Sequence, residues 1–153
     1  MSLVRVFLYG TLKRGQPNYH WLTNPDHGYA KFICDAITVE KFPLIIASRF
    51  NIPFLLNIPG KGHQIKGEVY EIDEKMLHNL DKLEDYPSLY GREVKRVRKR
   101  DGTSEIMECV TYYLKNPPES LLKLEFLDEY LDSDEKKFKP EEYEEFTFDD
   151  LIN

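Results

Sequence analysis

Seven strand-like stretches crowd the first 115 residues of this chain, and only one strongly helical stretch interrupts them. Val4–Tyr9 is an apolar run, and 29–40 reads as a second strand. "FPLIIAS" (42–48) and "PFLLNI" (53–58) read as short buried strands on either side of a turn at 49–52. Pro59-Gly60-Lys61-Gly62 signals another turn, and 64–73 alternates as a half-buried strand does. Residues 90–100 and 105–115 form a hairpin across Asp101-Gly102. The helix covers 73–87, with Asp73 as N-cap and Pro87 as its far limit. Many short strands around one helix predict an α+β fold built on a curved or barrel-like sheet.

Composition narrows the functional classes. A chain of 153 residues is one domain with a sizeable core. No apolar run approaches the ~20 residues of a membrane helix, and no secretory signal pattern opens the chain. The net charge of −6 is concentrated late, since residues 119–153 hold 13 acidic against 4 basic side chains. An acidic chain without a continuous basic stripe argues against a nucleic-acid partner. The run Lys95–Arg100 reads as the outer face of a strand. Cys34 and Cys109 sit in strand-like contexts, so reduced core thiols and a cytoplasmic location are expected. The four histidines show no metal-ligand spacing, so no metal site is expected. Leu121 to Leu131 offers a second helix. From Asp132 the chain is too charged for a core, and a partly ordered acidic tail (132–153) is expected after a domain spanning 1–131, with Phe138, Tyr143, Phe146 and Phe148 able to dock on it.

The first strand drives straight into Gly10-Thr11-Leu12-Lys13-Arg14-Gly15. Gly10 and Gly15 have the P-loop spacing, but Gln16 and Pro17 stand where its Lys and hydroxyl belong. The loop therefore reads as an anion site for something other than a nucleotide. Lys13 and Arg14 read as surface charges flanking it, or as helpers in anion binding.

The helix supplies the second signal. With each residue turning the helix by about 100°, Leu83, Met76, Leu80 and Leu77 fall side by side on one apolar arc. Glu84 follows Leu77 by seven residues, close to two full turns, and so lands inside that arc. Asp81 and Asp85 fall outside it and can be solvated. Burial disfavours the charged form of a carboxylate, which makes Glu84 a candidate general acid/base. Two plainer readings stay open: the helix frays after Leu83 and Glu84 turns to water, or Glu84 makes a buried ion pair.

Tyr9-Gly10-Thr11-Leu12 after the first strand and Glu84 in "LDKLEDYP" resemble the γ-glutamyl cyclotransferase-like family, and within it the γ-glutamylamine cyclotransferases. "FLYGTLKRGQPN", "FPLIIAS", "NIPFLL", "PGKGH" and "GEVYEIDEKML" fall in that family's order. The resemblance covers about residues 3–115. It implies a small mixed β-barrel with flanking helices, a backbone grip on the substrate at Tyr9, Gly10, Thr11 and Leu12, and Glu84 as general base and then acid. It implies no cofactor, a small γ-glutamyl amine as the partner molecule, and a monomer. The physiological substrate it points to is γ-glutamyl-ε-lysine, the remnant of transglutaminase crosslinks, converted to 5-oxo-L-proline and lysine. Other γ-glutamyl amino acids, or a non-catalytic binding module on the same fold, are the alternatives.

Overall fold

The computed structural model describes residues 2–48, 50–133 and 137–139. The described residues form seven strands: β1 (Leu3–Leu8), β2 (Ala30–Phe42), β3 (Leu44–Ala47), β4 (Ile52–Leu55), β5 (His63–Asp73), β6 (Tyr90–Lys99) and β7 (Ile106–Leu114). Five of them close into a barrel in the order β1-β5-β2-β6-β7, with β3 and β4 as a separate two-stranded sheet. All pairings in the barrel are antiparallel except the closure, where Val6 of β1 meets Val110 of β7 in parallel. The barrel is therefore mixed, and closure removes the exposed edges that an open sheet would carry. A short helix, α1 (His20–Thr23), follows the loop after β1, and α2 (Glu74–Leu83) follows β5.

Strand alternation sorts the apolar residues into two cores. Phe7, Ala36, Ile65, Val69, Val97, Met107 and Cys109 fill one, while Val6, Leu8, Tyr70, Ile72, Tyr112 and Leu114 build the other. Met76 and Leu80 of α2 are buried in the second core, so the helix lies against the face that Val6 and Leu8 present. Cys34 and Cys109 are both buried and free. The Asp73 cap forms as expected, its carboxylate accepting from the Met76 amide at 2.9 Å.

Beyond Pro118 the expected second helix does not form. A 3-10 turn, Glu119–Lys123, is followed by extended chain. Leu121, Leu124, Leu127 and Leu131 do recur at helical spacing, but the segment satisfies its backbone on the sheets instead. The Leu127 amide donates to the Leu44 carbonyl, and the Asp128 carbonyl accepts from the Lys66 amide, both at 2.8 Å. The segment is thus a strap over the barrel, pinned by Leu121 and by Tyr130, whose side chain is wholly buried. Phe138 is buried too, whereas Tyr143, Phe146 and Phe148 lie outside the described residues.

Tyr130 anchors the strap with one defect. Its hydroxyl is buried and has no hydrogen-bond partner among the described residues. An unsatisfied buried hydroxyl costs about 1–3 kcal/mol. Tyr130→Phe is accordingly expected to raise the melting temperature by roughly 2–4 °C per kcal/mol regained. A melt no higher than wild type, read by circular dichroism, contradicts this account of the strap.

Candidate active site

A cavity lies where β1 runs out into its loop, about 520 Å³ when the open solvent at its mouth is counted in. Tyr9, Gly10, Thr11 and Leu12 line one part, Leu83 and Glu84 another, and Tyr90 of β6 and Tyr112 of β7 complete the barrel side. Ile52 and Pro53 of β4, together with Phe138, add apolar wall. All five residues singled out in the sequence therefore face one space.

The loop is held by its carbonyls and by one side chain. The Gly10 carbonyl accepts from the Lys13 amide at 3.2 Å, and the Thr11 carbonyl from the Asn18 amide at 2.8 Å. Asn18 Nδ2 also donates to Thr11 Oγ1 at 3.0 Å. No acceptor among the described residues takes the amides of Gly10, Thr11 and Leu12. Amides at the cavity's edge without an acceptor among the described residues are suited to a carboxylate or an oxyanion. Tyr9 adds a fixed wall, its hydroxyl donating to the Tyr112 carbonyl at 2.8 Å.

Neither cation of the loop lines the cavity, and neither is a plain surface charge. Lys13 is buried, and its Nζ donates to the Tyr130 carbonyl at 2.6 Å; burial lowers its pKa. Arg14 binds Glu68 through its backbone amide (3.0 Å) and its Nε (3.1 Å), reaches Asp35 at 2.9 Å, and lies 3.9 Å over the Phe32 ring. One cation fastens the strap to the loop and the other fastens the loop to β5. The anion site is left to backbone amides. In the run Lys95–Arg100, Lys95 likewise turns inward, to Asn57 at 2.7 Å and Glu93 at 3.0 Å.

Glu84 owes its position to the way α2 ends. The helix stops at Leu83, and Glu84 is its C-cap at φ −88°, ψ 1°. Asp85 turns left-handed at φ 50°. The Asp85 amide then bonds the Lys82 carbonyl at 3.2 Å, and the Tyr86 amide bonds the Asp81 carbonyl at 2.8 Å. This is a Schellman closure, which fixes the last turn instead of letting it fray. The Glu84 side chain stays on the apolar side, where packed protein desolvates the carboxyl and pushes its pKa up to about 8. The negative end of the helix dipole acts in the same direction. Among the described residues the carboxyl has no ion-pair partner. A group titrating near neutrality can both take and return a proton.

Asp81 corrects the expectation that it is solvated. It is half-buried, its two oxygens accept from Arg92 Nη1 at 3.0 Å each, and its Oδ1 accepts from the Tyr112 hydroxyl at 2.6 Å. Sequence reasoning also missed Tyr90 and Tyr112, and it expected Phe138 to dock on the domain without placing it at the cavity. The tyrosines come from strands in which buried and exposed residues alternate, so nothing local separates cavity wall from core. Trp21 stacks on His27 with ring centroids 4.4 Å apart and does not line the cavity.

Comparison with known proteins accords with this arrangement. A family model described as gamma-glutamyl cyclotransferase, AIG2-like, matches residues 6–137, which takes the match past Pro118 and through the strap. A candidate gamma-glutamylcyclotransferase of Drosophila melanogaster is 48% identical over 134 residues, 88% of this chain and 84% of that protein. The gamma-glutamylaminecyclotransferase of Bos taurus is 46% identical over 128 residues, 84% of this chain and 76% of that protein. The crystal structure of an AIG2-like protein from Mus musculus superposes with a TM-score of 0.87 at 39% identity, covering 92% of this chain and 97% of that one. Among the described residues no helix is long and apolar enough to cross a membrane.

Proposed function

The chain belongs to the gamma-glutamyl cyclotransferase, AIG2-like family, and we propose that it is a γ-glutamylamine cyclotransferase acting on γ-glutamyl-ε-lysine. The observation that carries this reading is the pairing of one desolvated carboxyl, Glu84, with three free loop amides across a single cavity. The relatives named as gamma-glutamylaminecyclotransferases support the choice of an amine leaving group.

The reaction needs little more than these groups. The Glu84 carboxylate removes a proton from the substrate's α-ammonium, and the freed amine attacks its own γ-carbonyl carbon. Because the nucleophile is intramolecular, proximity is built into the substrate and no serine or cysteine is required. The carbonyl oxygen becomes an oxyanion, which the amides of Gly10, Thr11 and Leu12 are suited to stabilise; the same amides are alternatively suited to the α-carboxylate. Glu84, now protonated, gives its proton to the departing nitrogen as the Cγ–N bond breaks, and the second proton that the ring nitrogen must lose ends on the released ε-amine, which leaves as ammonium. The products are 5-oxo-L-proline and free lysine. Buried free thiols at Cys34 and Cys109 support a reducing compartment, and we place the enzyme in the cytoplasm as a monomer.

The test is a panel of γ-glutamyl-ε-lysine, other γ-glutamyl amines and γ-glutamyl-alanine, scored for 5-oxoproline release. The reading expects the ε-lysine compound to turn over at least ~10-fold faster by kcat/KM than γ-glutamyl-alanine, a difference of about 1.4 kcal/mol in transition-state binding. Preference for γ-glutamyl-alanine would move the assignment to ordinary γ-glutamyl amino acids. No 5-oxoproline from any member would leave only a binding module.

A further inference from the structure

Three residues that touch one another connect the helix of Glu84 to the barrel. Asp81 lies one turn before Glu84 on α2, at the i, i+3 spacing that shares a helix flank. Its carboxylate receives Arg92 of β6 and the hydroxyl of Tyr112 of β7, so one side chain ties the helix to two adjacent strands. Arg92 is braced in turn, its guanidinium lying 4.3 Å over the ring of Tyr86, the residue that completes the Schellman closure. Tyr112 is almost wholly buried and lines the cavity together with Glu84. Its carbonyl takes the Tyr9 hydroxyl, so Tyr112 also reaches the first residue of the substrate loop.

We propose that Asp81, Arg92 and Tyr112 act as positioning residues for Glu84, holding the end of α2 at a fixed distance from the Tyr9–Leu12 loop. The inference rests on Glu84 being the proton-transfer group proposed above. Tyr112 is not assigned the acid role, because burial and its bond to Asp81 hold its pKa far above the ordinary tyrosine value, and the hydroxyl proton points at Asp81. Arg92 serves as counter-charge, so that Asp81 does not stand as a lone anion in the same half-buried region as Glu84.

Tyr112→Phe and Asp81→Asn test this, with Arg92→Lys as a conservative third variant. The titratable groups that line the cavity with Glu84 are Tyr9, Tyr90 and Tyr112, and the nearby charged pair is Asp81 with Arg92. Tyr112→Phe alters no charge, so an effect on Glu84 there reports position and not a Coulombic change. Two readings are taken on the full chain. Carboxyl NMR of protein labelled at Glu Cδ follows the Glu84 midpoint, which should fall by at least ~1 pH unit in folded Tyr112→Phe as the carboxyl gains water. Turnover of γ-glutamyl-ε-lysine should show kcat down about 10–100-fold with KM within ~3-fold, the signature of misplacement rather than lost binding. Arg92→Lys should retain more kcat than Asp81→Asn. If the variants melt as sharply as wild type while the Glu84 midpoint and kcat stay unchanged, the proposal is overturned. A rise in KM alone overturns it as well, by making Tyr112 a substrate contact. Should wild-type protein release no 5-oxoproline, the cyclotransferase reading fails, and the NMR midpoint still decides whether these residues position Glu84.

Discussion

Glu84→Gln is expected to abolish 5-oxoproline formation, lowering kcat by about 10³-fold or more while the protein stays folded. General acid–base catalysis contributes about 10²–10⁴-fold per positioned group, and here one carboxyl is assigned both proton transfers. Glutamine keeps the size but can neither accept the ammonium proton nor return one. Turnover within a few-fold of wild type would remove Glu84 from the mechanism. The wild-type pH profile carries the same information. With the free-enzyme carboxyl titrating near 8, kcat/KM should climb about tenfold per unit below that pH and level off above it.

Stability should respond to the same substitution with a definite sign. The Glu84 pKa is raised in the fold, from the ordinary 4.5 to about 8. Between those values the native state holds a proton that the unfolded chain has released, so this group makes stability fall as pH rises. Above about 8 both states are ionised and the penalty is constant. Glutamine escapes it. The melting temperature of Glu84→Gln relative to wild type should therefore improve from pH 5 to pH 8 and then stay level. A difference that does not change with pH would mean that the carboxyl is solvated.

The second large effect is expected at Gly67, in β5 opposite Ala36. A Cβ built there would sit 2.5 Å from the Leu8 carbonyl oxygen and 2.6 Å from the Phe7 ring. Phe7 is fully buried, and Leu8 is the last strand residue before the substrate loop, so neither atom has room to retreat. Gly67→Ala gains about 0.4–1 kcal/mol from the stiffer unfolded chain but must displace backbone. A net loss of about 3 kcal/mol follows, or a melting temperature lower by roughly 6–12 °C. An unchanged melt would show that β1 and β5 approach less closely than described. The variant should also lose activity in its folded fraction, since the displaced Leu8 carbonyl leads directly into Tyr9 and Gly10.

Much of this arrangement is legible in the chain, for reasons that differ between residues. The strands announce themselves because half-buried strands alternate and turns need Gly, Pro, Asn or Asp. Glu84 emerges from helical arithmetic carried one residue beyond the true end of α2, and it does so because a C-cap at φ −88° still continues the helical sweep. What sequence reasoning misses depends on partners far away. Lys13 reads as exposed because nothing near it reveals the Tyr130 carbonyl, 117 residues on. Asp81 reads as solvated because helical phase says where a side chain points, not that an arginine from β6 waits there. Helical spacing misleads for 121–131, where the apolar residues serve a strap, and nothing local shows that Phe138, expected to dock, reaches the cavity. Local patterns carry the elements and the inward carboxyl; the walls come from topology.

The strap has a consequence for how the enzyme comes into being. The cavity draws residues from Tyr9 to Phe138, so no contiguous half of the chain holds it, and its pieces meet only through contacts distant in sequence. Such contacts form late and together. A nascent chain still short of Phe138 has the loop and Glu84 but an unfinished pocket wall. Activity should thus arise in one step with global folding, and turnover would serve as a more sensitive gauge of native population than helix content, which resides largely in one short segment.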